Sequence, residues 1–416
     1  MRSALFISFD IIRPGELNNS LALASILCFL KNEEKLLDKM NFYQLTLNIF
    51  DYEGRAQPNY FDKYLNAYNL VDFDFIAISA YIWNEYFINE FINHIRKLGF
   101  TGKIILGGYQ ITHADIKELP VLYPDTQIFV IGYAEQALMK LFLGQVSLKF
   151  PLFLYSEVDF SELPSPYLTN EINVPFGSTM IRLETKRGCV YRCSYCAHRN
   201  LAQNKIFHFP IDKTVNEISF ISEKQVKRVN ILDPIFNVGN EYLQIMKEII
   251  KKNKSTTYTL QSRFEKIKGL EGNEFLDLCE SGSFHLEFGL QTIDLKEAKV
   301  LNRKNDLRQI DETLNQLKHR KISYEISLIY GLPMQTFDSF KRTIEYTLSK
   351  GCRTIKAYPL ILLRGTELFY ERNKWNLNEE AIEKFNIPVV TSSNSFSKQN
   401  WEEMKNLSNR YSSFNN

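Results

Sequence analysis

Two successive series of short apolar runs, each run followed by an amphipathic stretch, constrain this chain more than any other feature of its sequence. An apolar run of about four to eight residues suits a strand buried on both faces, and a stretch with apolar residues every three or four positions suits a covering helix. The first series predicts strands near 4–9, 43–50, 75–80, 103–106 and 127–131, with helices at 18–31, 84–98 and 134–143 and a weaker one at 59–68. Phe87, Phe91, Ile92 and Ile95 give the helix at 84–98 a single apolar stripe. Residues 1–149 are therefore expected to form a doubly wound, Rossmann-like parallel α/β sheet, with any ligand beyond the carboxyl ends of its strands.

The periodicity fades over 150–177, where Leu163-Pro164-Ser165-Pro166 is incompatible with a helix interior or a central strand, and this segment reads as a linker. The second series predicts strands near 179–184, 228–232, 257–262, 284–288, 324–330 and 354–360, with helices near 212–223, 240–252, 272–281, 294–301, 307–320 and 336–350. Six such units are too few for a closed eight-unit barrel, so a partial (β/α)6 barrel of the TIM type is expected over 178–374. Its active site belongs at the carboxyl ends of the strands. After Trp375 the chain turns polar, and 375–416 reads as a short C-terminal appendage.

Composition narrows the partners. The 50 Lys and Arg against 48 Asp and Glu leave a net charge of +2, which advertises neither a nucleic-acid nor an anionic membrane surface. The first apolar run stops at Asp10, too short for a secretory signal, and the run 21–30 is half a membrane span. Six cysteines in 416 residues are too sparse for a secreted disulfide scaffold, so a reducing cytoplasm is the expected location. Cys28, Cys279 and Cys352 stand alone in apolar-periodic segments and read as core.

The other three cysteines crowd together: Cys189, Cys193 and Cys196 form a C-x3-C-x2-C array just after the first strand of the second series. Three thiolates this close converge on one soft centre, either zinc or an iron–sulfur cluster. Zinc needs a fourth ligand, for which His198 is the nearby imidazole, although structural zinc ligands usually come as two separated pairs. A [4Fe–4S] cube normally takes four thiolates, so three leave one iron open to another ligand.

The run Arg187-Gly188-Cys189-Val190-Tyr191-Arg192-Cys193-Ser194-Tyr195-Cys196 resembles the signature loop of the radical S-adenosylmethionine (SAM) enzymes, whose SAM chelates the open iron. The resemblance places Tyr195 and the backbone of Ala197 near the adenine. Segments after later strands agree in order: Asp233-Pro234-Ile235-Phe236-Asn237, Glu287-Phe288-Gly289-Leu290-Gln291-Thr292, Gly331-Leu332-Pro333-Met334-Gln335-Thr336 and Arg364-Gly365-Thr366-Glu367-Leu368. It implies that Asp233, Arg263, Glu287 and Gln291 face SAM, with Glu287 and Gln291 at its ribose or methionine part. Arg263 has the alternative of a structural ion pair with Glu265 or Glu287. No catalytic residue is assigned beyond the cluster ligands.

In the N-terminal series the turn Phe9–Glu16 lacks G-x-G-x-x-G, which disfavours a nicotinamide or flavin dinucleotide. Gly107-Gly108 and Gly132-Tyr133-Ala134-Glu135 instead offer bare backbone to a flat, bulky group, with Ser79 adding a polar atom. Residues 1–375 are similar to the cobalamin-dependent radical SAM enzymes, which implies cobalamin at Ser79, Gly107, Gly108, Gly132 and Glu135. Two departures stand out: the D-x-H-x-x-G element is absent, and the family's Gly-Glu pair reads Gly132-Tyr133.

The resemblance implies reductive cleavage of SAM to methionine and a 5′-deoxyadenosyl radical. Hydrogen abstraction from an unactivated carbon and methyl transfer from cobalamin would follow, on a natural-product or peptide-type small substrate. An external reductant such as a flavodoxin or ferredoxin is implied as partner. One alternative is a radical SAM enzyme without methyl transfer, performing cyclisation, rearrangement or oxidation, whose N-terminal domain binds substrate or a carrier. A second alternative is a non-enzymatic iron–sulfur or zinc protein.

Overall fold

The computed structural model describes residues 1–51, 60–198, 205–253, 255–382 and 386–412. The chain divides into two compact units, one holding Met1–Val174 with Ile382–Ile387 and the other holding Pro175–Ala381 with Pro388–Asn416. No helix among the described residues is long and apolar enough to cross a membrane.

The first unit is built on six parallel strands: β1 (Arg2–Asp10), β2 (Met40–Asn48), β3 (Phe75–Ser79), β4 (Lys103–Gly107), β5 (Ile128–Gly132) and β6 (Leu152–Ser156). Their order is β2-β1-β3-β4-β5-β6, so the chain reverses direction across the sheet between β1 and β3. Such a switch point leaves a crevice beyond the carboxyl ends of the two strands. β1 is buried on both faces. Leu5, Ile7 and Phe9 pack with Phe87, Phe91, Ile92 and Ile95 on one side, while Ala4 and Phe6 pack with Leu23, Leu27 and Leu30 on the other. The sheet is thus covered twice, by helix Ile88–Lys97 and by helices Leu21–Lys31 and Glu135–Phe142. Phe9 meets Phe87 and Phe91 edge-on, both at 4.9 Å between ring centroids, an arrangement that adds about 1 kcal/mol per pair beyond burial.

The unit extends past residue 149. The segment read as a linker contains β6, which pairs with β5 from Ile128↔Leu152 to Gly132↔Ser156. Its alternation is masked because it is an edge strand of five residues, with Tyr155 largely exposed.

The second unit curls a parallel sheet into half a barrel: β7 (Met180–Leu183), β10 (Arg228–Ile231), β11 (Thr257–Ser262), β12 (Phe284–Gln291), β13 (Ser323–Tyr330) and β14 (Ile355–Pro359), each bonded to the next. Two short strands, β8 (Lys186–Arg187) and β9 (Phe207–His208), form an antiparallel clasp after β7. Burial alternates most clearly in β12. In β12, Phe284, Leu286, Phe288 and Leu290 are buried toward the helices, and His285, Glu287 and Gly289 form the opposite, partly exposed face. That second face lines the concave side of the half-barrel.

The C-terminal segment is integral. A hairpin of β15 (Asn378–Ile382) and β16 (Ile387–Ser392) precedes helix Lys398–Ser412, whose Ser408 hydroxyl donates to the Ala357 carbonyl in β14 at 3.0 Å. Val390 N–H donates to Leu360 O at 2.9 Å, and Trp401 packs against Tyr330 at 5.7 Å. The segment covers the last strand of the half-barrel, whose edge would otherwise be free to pair with another chain. Its polar composition concealed this because few residues, chiefly Val390, Phe396, Trp401 and Met404, carry the packing. Replacing Trp401, 1% exposed, with Ala should cost the second unit about 3–5 kcal/mol in urea unfolding followed by circular dichroism. An unchanged transition would show the helix to be dispensable.

Candidate functional site

Three cysteines open one cavity at the carboxyl end of the half-barrel. Cys189, Cys193 and Cys196 line it together with Tyr191, Tyr195, Arg263, Gln291 and Arg303 around the rim, and Gln261, Glu287 and Ser327 lie deeper along the strands. Its empty volume is about 850 Å³.

The loop that carries the thiols is held at both ends. The clasp pairs Lys186 with His208 and Arg187 with Phe207. Gly188, at φ +88°, follows at once, and a Cβ there would collide with the Lys205 carbonyl. Between the cysteines, Ser194 is the staple. Its N–H donates to Leu301 O at 3.0 Å, its hydroxyl to Val300 O at 2.9 Å, and its carbonyl accepts from Leu368 N–H at 3.0 Å. Asn302 Nδ2 adds a bond to Arg192 O at 2.8 Å. The turn therefore takes its shape from helix Leu295–Val300 and from the segment after β14, not from the cysteines.

Burial pushes the Cys189 thiol up and the Cys196 thiol up to about 11, because a thiolate loses water there. Two guanidiniums work the other way. Arg263 Nη1 and Arg303 Nη1 each stand 3.9 Å from Cys193 Sγ, and both lower the cost of negative sulfur. Arg263 is itself pinned, paired with Glu265 at 2.7 Å and stacked 4.0 Å over the Tyr191 ring. Arg303 Nη1 also reaches Tyr195 Oη at 3.4 Å, and its Nη2 donates to Gly289 O. Burial pushes the Tyr195 hydroxyl up to about 12, so it stays protonated.

Three buried polar atoms on this rim have no hydrogen-bond partner in the structure: Ser262 Oγ, Gln291 Oε1 and Arg303 Nε. Their residues are 5%, 9% and 7% exposed. Unsatisfied buried groups cost about 1–3 kcal/mol each, so a cluster of them beside a cavity points to a polar occupant. Gln291 sits at φ +69°, next to the register shift between Gly289 and Gln291, which turns its side chain out of the strand's alternation.

Tyr195, Arg263, Glu287 and Gln291 thus share the cavity with the cysteines, as does His198. Ala197 is outside its lining, and so is Asp233. Asp233 is 0% exposed and lies behind the thiol loop, where its oxygens accept from Thr185 N–H at 2.8 Å, Thr185 Oγ1 at 2.5 Å and Lys186 N–H at 3.2 Å. Lys186 Nζ beside it donates to Phe236 O and Val238 O, both at 2.6 Å. Burial raises the Asp233 carboxyl to about 6 and lowers the Lys186 ammonium to about 8. Asp233 is a strut for the start of the loop. Arg303, Ser262 and Gln261 were not singled out in the sequence, since a lone Arg after a helix or a strand-end Ser carries no spacing signal.

In the first unit Ser79, Gly107 and Gly132 end three adjacent strands, with Ser79 in register with Gly107. Gly108 follows at φ +96°, and a Cβ there would stand 2.7 Å from Ala80 O. A Cβ at Gly132 would meet nothing within 4 Å, and at Gly107 only Val130. Ser79 Oγ is another buried atom without a partner. Glu135 opens the neighbouring helix but is 2% exposed.

Comparison with known proteins agrees with this geometry. Residues 183–347 match the family described as the radical SAM superfamily. The chain is similar to the cobalamin-dependent radical SAM methyltransferase TokK of Streptomyces tokunonensis, 24% identical over 55% of this chain and 34% of that protein. It is also similar to the 2-(S-pantetheinyl)-carbapenam-3-carboxylate methyltransferase of Streptantibioticus cattleyicolor, 21% identical over 68% of this chain and 46% of that protein. The chain therefore spans between a third and a half of the length of these two relatives. Among solved structures, TsrM from Kitasatospora setae with tryptophan and a SAM analogue superposes with a TM-score of 0.68 at 12% identity, over 99% of this chain and 89% of that one. The cobalamin-dependent enzyme OxsB with aqua-cobalamin and SAM gives 0.68 at 14% identity, over 98% of this chain and 66% of its own.

Replacing Asp233 with Ala should cost about 2–3 kcal/mol in urea unfolding, because the Thr185 and Lys186 donors lose their acceptor. A variant of normal stability with weakened SAM binding would return Asp233 to the ligand site. Cavity, thiol loop and sequence family coincide over the same residues, so the chain carries a radical SAM domain and has, along nearly its whole length, the fold of cobalamin-dependent radical SAM enzymes.

Proposed function

We propose that this protein cleaves SAM reductively at a [4Fe–4S] cluster held by Cys189, Cys193 and Cys196, and that it uses cobalamin bound by its first unit to methylate carbon. The observation that carries the reading is the pairing of three loop thiols with three orphaned polar atoms in one cavity. The donor set fits the cluster. Thiolates are the ligands such clusters take, and the two arginines offset their charge. When bound, the cluster supplies the electron that breaks a carbon–sulfur bond of SAM, and cobalamin supplies a methyl carrier.

The rest falls to the chain's own side chains. Arg303 Nε is a donor for the carboxylate of SAM, and Ser262 Oγ and Gln291 Oε1 take its amino or hydroxyl groups. Tyr195, kept protonated, presents a flat ring and a neutral hydroxyl. The buried strut of Asp233 and the Ser194 staple keep the loop from collapsing when no ligand fills the cavity. In the first unit, the open space over Gly107 and Gly132 and the orphaned Ser79 hydroxyl suit a broad, flat cofactor with polar edges. Small-molecule or peptide-type substrates, an external flavodoxin- or ferredoxin-type reductant and a cytoplasmic setting complete the proposal.

A lone zinc ion makes a stricter geometric demand on the three thiols. Tetrahedral zinc with bonds of about 2.3 Å needs sulfurs within about 4 Å of one another. Among the described residues no group of three or more His, Cys, Asp or Glu side chains is gathered to hold a single metal ion.

After anaerobic reconstitution and reduction, the protein should release 5′-deoxyadenosine from SAM, and Cys193→Ala should abolish this while unfolding like the parent. Turnover by that variant would refute the cluster assignment. Hydroxocobalamin should stay with the protein through gel filtration, and Gly132→Trp should release it by filling the open space. Failure of the parent to retain the cofactor would remove methyl transfer and leave SAM cleavage standing.

A further inference from the structure

The cavity has a rim and a floor of different chemistry. The rim bears the thiols, two guanidiniums and the orphaned Ser262 and Gln291 atoms. The floor is set by strand register: Gln261 in β11 pairs with Glu287 in β12, which pairs with Glu325 in β13, all on the concave face. Two carboxylates side by side on neighbouring strands repel.

Only one of them is compensated. Glu325, 5% exposed, accepts from His285 Nε2 at 3.3 Å and from Lys356 Nζ at 2.8 Å. Burial opposes its ionisation, but these bonds outweigh burial and hold its carboxyl below the usual range. Glu287 has no cation within ion-pair distance among the described residues, although it lines the cavity. Burial first, and then Glu325, raises its carboxyl above the usual range. Lys356, His285 and Arg228 act on Glu287 only from a distance, and the first two are hydrogen-bonded to Glu325, so this half-buried carboxylate has no ion-pair partner of its own among the described residues.

We propose that Glu287 is the anchor for a basic nitrogen of the substrate, an alkylammonium or guanidinium group that reaches past SAM to the floor of the half-barrel. The proposal rests on the SAM reading of the rim and adds the charge of the substrate. A cation there supplies the missing partner of Glu287, while Gln261 and Ser327, on the same face, offer neutral hydrogen bonds to either side.

The test uses reconstituted protein saturated with SAM, with N-acetyl-L-lysine amide and its uncharged counterpart N-acetyl-L-norleucine amide as probes in equilibrium dialysis. The lysine probe should bind about tenfold tighter than the norleucine probe, as expected for one charge-assisted contact. Glu287→Gln, of equal size, should remove that preference; because the proposal reassigns Glu287 from the SAM contact implied by the resemblance to the substrate, affinity for radiolabelled SAM is read in parallel. Equal binding of the two probes by the parent, or a preference that survives the substitution, would overturn the proposal. So would a loss of SAM affinity in Glu287→Gln, which would assign the carboxylate to SAM. Failure of the parent to bind SAM at all would instead strike the reading of the rim.

Discussion

Three sulfurs sunk in a cavity where water is scarce set the terms for the rest of the second unit. A buried thiol resists ionisation, and both Cys189 and Cys196 show it. Thiolate chemistry there needs positive charge close by, and Arg263 and Arg303 bring it to 3.9 Å from Cys193. Those guanidiniums must be held in turn. Glu265 and the Tyr191 ring hold Arg263, and the Gly289 carbonyl holds Arg303. The loop, the end of β11 and the end of β12 are thereby tied to one electrostatic problem.

Parallel strands explain why the site is where it is. In both units candidate site residues gather toward the carboxyl ends of the strands, where helices begin and backbone groups stand open. The half-barrel adds depth. Because its strands keep one register from β11 to β14 up to the shift between Gly289 and Gln291, polar residues two positions apart fall into rungs, and each rung meets the cavity at a different level. Rim and floor can then serve different ligands. Asp233, outside the cavity lining, hydrogen-bonds the backbone at the start of the loop.

Much of this was legible in the chain. The five strands of the first series come from runs such as Phe75–Ile78, because residues buried on both faces leave unbroken apolar stretches, and the six of the second from shorter runs set between helix-period segments. Edge elements were less legible: β6 and helix Lys398–Ser412 are half exposed, and the helix buries only a narrow stripe of Trp401, Met404 and Ser408. In the site, spacing revealed the cysteines because three ligands on one loop leave a local pattern. Arg303 and Ser262 left none, since they meet Cys193 and the cavity only through folding. Asp233 was placed at the correct strand end, but an acidic residue there is equally suited to capping backbone N–H groups, and burial decides between the two roles.

The central claim is an iron with one coordination place left open by three thiols. The most direct measurement is electron–nuclear double resonance on the reduced, reconstituted protein with SAM labelled in its amino nitrogen and carboxylate oxygens. The account predicts hyperfine coupling from both labels to the cluster, lost when SAM is omitted. A fully ligated cluster that shows no coupling to either label, or a closed zinc site in its place, would contradict it.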